Sequence, residues 1–356
     1  LFFACELDPA DLAALFADGS VVEQLQALDA AVALGLRDLS DERAAVVARL
    51  NNASVPVIAW LLLPPEQGYW FNAKNAHHAT ARYDAFRTWT AAHALRWEAI
   101  GIDVEPDLHD VQLALANPRS HGWAILRRVF DDRARREAER TYRAIVTRAN
   151  ADGYAVHSYE LPIFDDERRV GASLLQRILG VVDVGADVPI PMLYTSFMGV
   201  RGMSLLWSYG PFGSQPAALL WSFGRGKQAI FIGSTGGGVT TDGVDQIPPL
   251  TWDAFARDLR LASRLTGQIG VFSLEGCVRQ GFLERLGGFD WNGPADVPVC
   301  AASAIDRWRA VLRAVLWVSA RPYMVVSVFA ALLALRLGRR ISRGKRRAAS
   351  VHLSHT

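Results

Sequence analysis

The chain has 356 residues, enough for one large α/β domain or two ordinary ones, and its 51% apolar and 21% charged content suits a packed core and excludes disorder. The formal charge of +2 averages two unlike parts, because no Asp or Glu follows Asp306 while seven bases (Arg336, Arg339, Arg340, Arg343, Lys345, Arg346, Arg347) crowd the end. Without those seven, 31 bases face 36 acids, about −5 for residues 1–335, which excludes a nucleic-acid footprint on the folded body.

In chain order, eight short apolar runs read as strands: 1–7, 30–39, 55–63, 97–105, 154–161, 188–196, 228–234 and 268–275. Between them lie stretches with helical spacing, among them 41–50, 80–96, 135–150 and 251–265. Ser40 is placed to cap the first of these, and Gly153 and Gly267 stand where helices should stop. Eight βα repeats predict an α/β fold, a (β/α)8 TIM barrel over 1–293. An open doubly wound sheet competes with it, but the first strand lacks a following GxGxxG turn. The glycine-rich block 198–226 reads as a helix with an inserted loop, and 233–243, "GSTGGGVTTDG", as a flexible loop or a weaker candidate phosphate cradle. Cys5, Cys277 and Cys300 show no zinc spacing. Free thiols are expected, with a Cys5–Cys277 disulfide open if the first and last strands are neighbours.

Catalytic groups of such barrels project from the C-terminal strand ends. Here those ends carry acids: Glu6 on run one, Asp103 and Glu105 on run four, Glu160 on run five and Glu275 on run eight, with Tyr194 on run six. The stretch "GIDVEPD" spaces Asp103, Glu105 and Asp107 by two, and alternation sends the first two into the barrel mouth. Clustered carboxyls raise one another's pKa, so that one can act as an acid while another stays charged, as glycosidic cleavage requires. Aromatics point the same way, since sugar rings stack on aromatic planes: Trp60, Tyr159, and the consecutive Tyr69, Trp70 and Phe71 on a proline-flanked loop that is hard to bury.

The run "GIDVEPD" together with "PMLYTS" resembles the chitinase-type glycoside hydrolases of family 18. Asp103-Val104-Glu105 matches the terminal D-x-E of that family's strand-four motif, and Met192-Leu193-Tyr194 its M-x-Y on strand six. Glu98 and Gly101 stand where the family has aspartates, as does Thr195 after the tyrosine. Family 25 lysozyme-like barrels also show a D-x-E on a comparable strand. The resemblance implies Glu105 as general acid, Asp103 as support for its proton, and Tyr194 as stabiliser of charge at the anomeric carbon. Glu275 or Glu160 is then expected as base or nucleophile, with Glu160 otherwise tuning the Glu105 pKa. Glu6, Trp60, Tyr69, Trp70, Phe71 and Tyr159 are expected to bind substrate. No cofactor and no metal are expected. The alternatives are a non-catalytic glycan-binding or cell-envelope barrel, or a metal-dependent barrel enzyme using Glu105, Glu160 and His157, although a hydrogen-bonded core role suits His157 better.

Residues 294–316 read as linker and helix start. Residues 317–335 then carry one charge, Arg321, and the basic tail 336–356 follows. This predicts a transmembrane helix, or an amphipathic helix on the membrane surface, or a helix packed on the barrel. With positive-inside orientation the barrel is extracytoplasmic and the tail cytoplasmic, so the expected partners are a glycan and a membrane.

Overall fold

A computed structural model describes residues 1–107, 109–110, 132–199, 214–237, 248–321 and 323. Eight parallel strands close in sequence order, with β1 pairing both β2 and β8. They are β1 (Phe2–Cys5), β2 (Ala31–Leu36), β3 (Val57–Leu61), β4 (Ala99–Val104), β5 (Ala155–Glu160), β6 (Val188–Tyr194), β7 (Ala229–Gly233) and β8 (Gln268–Phe272). Each lies within one of the eight apolar runs. The protein is a (β/α)8 barrel.

Around it run α1 (Pro9–Ala17), α2 (Gly19–Ala27), α3 (Asp41–Asn52), α4 (Ala76–Ala92) and α5 (Asp132–Ala151), then α6 (Ile163–Arg169), α7 (Leu174–Leu179) and α8 (Pro216–Gly224). The last four are α9 (Trp252–Ser263), α10 (Leu274–Arg279), α11 (Phe282–Leu286) and α12 (Val299–Ser319). Ser40 caps α3 by accepting from Arg43 N at 3.3 Å, and Ser273 caps α10 by accepting from Gly276 N at 3.2 Å.

Neighbouring strands in register share a face, so the pairings sort side chains into the barrel or onto its wall. Trp60 pairs with Gly101, Asp103 with Tyr159, Phe231 with Gly270, and Tyr194 with Gly233. The inward set is aromatic. Phe2 meets Phe231 at 4.9 Å, Tyr159 meets Phe231 at 4.8 Å, Trp60 meets Tyr159 at 5.9 Å, and Tyr194 stacks on Phe272 at 5.4 Å. Rings this large fit because small residues face them. A Cβ at Gly101 would lie 2.5 Å from Tyr159 Oη, and one at Gly270 would lie 2.6 Å from the Phe2 and Phe231 rings.

Within 294–316, read from the sequence as linker and helix start, the chain enters a helix. Helix α12 begins at Val299 and docks on the barrel wall, with Arg309 buried against Asp166 of α6 at 2.7 and 3.0 Å. Among the described residues no helix is long and apolar enough to cross a membrane. Most of 317–335, all of 336–356 and the irregular block 200–213 lie outside the described residues. Cys5 and Cys277 are free and buried although β1 and β8 are neighbours, so the disulfide does not form.

Candidate active site

Strand β4 ends at Val104, and its alternation delivers Asp103 and then Glu105 to the mouth. The third acid of that run does something else. Asp107 accepts from Asp110 N at 3.0 Å and lies 3.8 Å from Lys74, so it organises the turn after the strand. Glu6 follows β1 on the same inward side, as the Ala4–Phe272 pairing sets.

These acids are pushed toward their neutral forms. Burial raises Glu105 to about 8, the Glu6 charge adds to it, and a hydrogen bond from Asp103 opposes it. Burial raises Glu6 to about 7, opposed by the Tyr69 hydrogen bond and reinforced by Glu275. Asp103 lies well above the usual carboxylate range through burial and the charges of Glu105 and Glu6. Tyr194 stands among them. Burial first, and then Asp103, Glu105 and Glu6, raise its hydroxyl far above its ordinary value.

The floor of the mouth is polar, with Trp60 near enough to Asp103 to oppose the rise of its pKa. Trp60 Nε1, Asp103 Oδ1 and Tyr159 Oη are buried without a formed hydrogen-bond partner among the described residues. Gly101, where the family 18 motif that the run resembles has an aspartate, leaves the room that the Tyr159 ring fills. Glu98, at the other departure, is exposed before β4 begins. Thr195 points away from the mouth and donates to the buried Asp258 of α9, which Arg257 also holds at 2.7 Å.

Three expected roles change. Glu160 is adjacent to the inward Tyr159 and therefore faces the wall, where Arg168 grips it at 2.8 and 3.0 Å. It exerts no resolved effect on Glu105; Glu6 is the charge that tunes that residue. Glu275 sits in the first turn of α10 rather than on β8, beside the Cys5 thiol and the Glu6 main chain. It acts on Glu6, not on Glu105. The aromatic loop is a strut and not an open platform. Tyr69 and Phe71 are 1% and 3% exposed, Tyr69 Oη donates to Glu6 Oε1, and Phe71 N donates to Asp103 O at 2.9 Å. Tyr69 holds φ +63°, a left-handed conformation that a bulky residue seldom takes, fixed here by its bond to Glu6. Of the three, only Trp70 keeps part of its surface exposed, edge-on to Tyr69 at 5.6 Å.

His157 shares the inward side two residues below Tyr159, and burial lowers its pKa. Its Nδ1 has no hydrogen-bond partner among the described residues. Among those residues no group of three His, Cys, Asp or Glu side chains is placed to hold a metal ion, so Glu105, Glu160 and His157 do not form one centre. The described part of the glycine loop lies against Glu275: a Cβ at Gly237 would collide with that carboxyl, an acidic neighbour unsuited to phosphate. Its remainder, 238–243, lies outside the described residues.

A base also contributes to the mouth. Arg37, just past β2, lies 5.8 Å from the Tyr69 ring centroid, lowers the Glu6 pKa and pairs with Asp8 at 3.0 Å. In the sequence its only signal is a charged residue at a strand end.

No protein-family model matches the chain, and no curated protein matches it. What the fold and site define is a (β/α)8 barrel with a carboxyl cluster at the C-terminal end of its strands.

Proposed function

We propose that this barrel cleaves a glycosidic bond, with Glu105 as the general acid and Glu6 as the second carboxylate. The observation that carries the reading is the cluster of three raised carboxyls around the Tyr194 hydroxyl, above a floor of unpaired polar atoms. With a pKa of about 8, Glu105 holds its proton at neutral pH and can pass it to the glycosidic oxygen as the bond to the anomeric carbon breaks. Asp103 hydrogen-bonds Glu105 and supports the carboxylate left behind. Glu6, near 7 and stabilised as an anion by Tyr69 and Arg37, acts on the opposite face of the ring. Tyr194 supports the developing positive charge through its oxygen. Trp60 Nε1 and Tyr159 Oη bind ring hydroxyls, and the exposed part of Trp70 offers a stacking face.

The resemblance to family 18 supports the roles of Glu105, Asp103 and Tyr194. Gly101 and Thr195 separate this chain from the N-acetyl-positioning chemistry of that family. The orientation of Thr195 toward Asp258 favours a second reading, a barrel that binds glycan without cleaving it.

Incubation with a panel of bacterial-envelope and chitin-like glycans tests both, read as new reducing ends and as binding. The first reading expects release by the wild type, with Glu105→Gln binding the same glycan and releasing nothing. Binding without release by the wild type supports the second reading. A wild type that neither binds nor cleaves any member overturns both.

A further inference from the structure

The outer face of α12 is the feature of the molecule that the mouth chemistry does not use. Among the described residues the large hydrophobic side chains that stand well out in solvent all fall between Val299 and Tyr323. Val311, Val315, Trp317 and Val318 are 64%, 56%, 38% and 44% exposed. At about 100° per residue, Val318, Val311 and Val315 lie roughly 180–240° around the helix from Arg309. The apolar stripe is thus opposite the side that docks on the barrel.

The helix cannot roll to hide it. Arg309 donates to Asp166 at 2.7 and 3.0 Å and to Ser222 O at 2.6 Å, and it lies 4.0 Å from the Phe223 ring centroid. Asp166 has no exposure and also accepts from Arg313 at 3.1 Å, so turning the helix would draw both cations away from a buried carboxylate.

We propose that this stripe rests on an anionic membrane surface, with α12 lying in the plane of the interface. Charge selects the occupant. The 50 residues from Arg307 to the end carry 11 Lys or Arg and no Asp or Glu. Asp306, the last acid, is already held by Arg225 and Ser222. Arg321 lies 4.5 Å over the Trp317 ring, the pairing of an amphipathic ring and a cation that suits the headgroup level. The chain then runs on through an apolar stretch, 324–335, into the seven bases from Arg336 to Arg347. A second copy would bring like charge against like; anionic lipid complements it.

The full chain, carrying Cys300→Ser, takes a nitroxide label at Val315→Cys or, as a remote reference, at Glu42→Cys on α3. Cys5 and Cys277 are buried and stay unlabelled. On adding vesicles of phosphatidylcholine with phosphatidylglycerol, the Val315 label should become shielded from an aqueous relaxant and more accessible to oxygen, while the Glu42 label does not change. The unlabelled double variant Val311→Asp, Val315→Asp should bind the same vesicles at least about tenfold more weakly with its fold intact. A chain that floats with vesicles while Val315 stays in water would assign attachment to the tail alone and overturn the proposal. Shielding of Val315 without vesicles, with doubled mass in solution, would assign the face to a second copy. Absence of flotation would overturn it outright.

Discussion

Burial first, and then the charge of Glu6 on Glu105 and of Glu275 on Glu6, keep both carboxyls protonated beyond the usual carboxylate range. Glu105→Gln should lower hydrolysis by roughly 10²–10⁴-fold while leaving glycan affinity nearly unchanged, because only the transferable proton is lost. Tyr69→Phe acts on the other group. The phenol donates to Glu6 and favours its charged form, so its removal should move the acidic limb of the rate profile upward in pH. An unmoved limb would show that Glu6 is not the group that must ionise. The same shifts bear on stability. Both carboxyls bind protons more tightly folded than unfolded, so their contribution is complete below about pH 4.5 and is lost as pH rises through about 7–8. The melting temperature should therefore fall across that window, and Glu105→Gln should flatten the fall by roughly 2–4 °C.

Strands and helices differ in how much of their role the sequence discloses. Eight apolar runs with helical spacing between them were legible because a parallel sheet writes its strands as near-continuous hydrophobic segments. The D-x-E at the end of β4 was legible for the same reason, since period two puts Asp103 and Glu105 on one side. Strand β5 shows the limit. Tyr159 and Glu160 are neighbours, so only one can face inward, and the pairing with Asp103 is what selects Tyr159. The burial of Tyr69 and Phe71 depends on a loop folding back onto β4, which no local pattern reveals. Helix α12 was obscured differently: the partner of its Arg309, Asp166, lies 143 residues earlier. That pair makes a test. Arg309→Ala should destabilise the fold by up to about 3 kcal/mol in a denaturant titration, since it leaves the buried Asp166 with Arg313, at 3.1 Å, as its remaining cation. Adding Asp166→Asn should restore part of the loss; no restoration would mean that the arginine contributes by packing alone.

As a whole the molecule separates two surfaces. Acids gather at the mouth, at the strand ends of a body that carries about −5, while cations and exposed valines gather on and beyond α12. The proposed chemistry and the proposed attachment therefore rest on different residues, and variants of one should leave the other intact. For the chemistry the decisive quantity is kcat/KM against pH on any glycan the wild type turns over. One group must be ionised and one protonated, with Glu6 raised to about 7 and Glu105 to about 8. The account predicts a narrow bell, with an acidic limb near 7 and a basic limb near 8, and loss of the turnover in Glu105→Gln. A rate that stays flat from pH 5 to pH 9, or a Glu105→Gln variant with wild-type turnover, would contradict it.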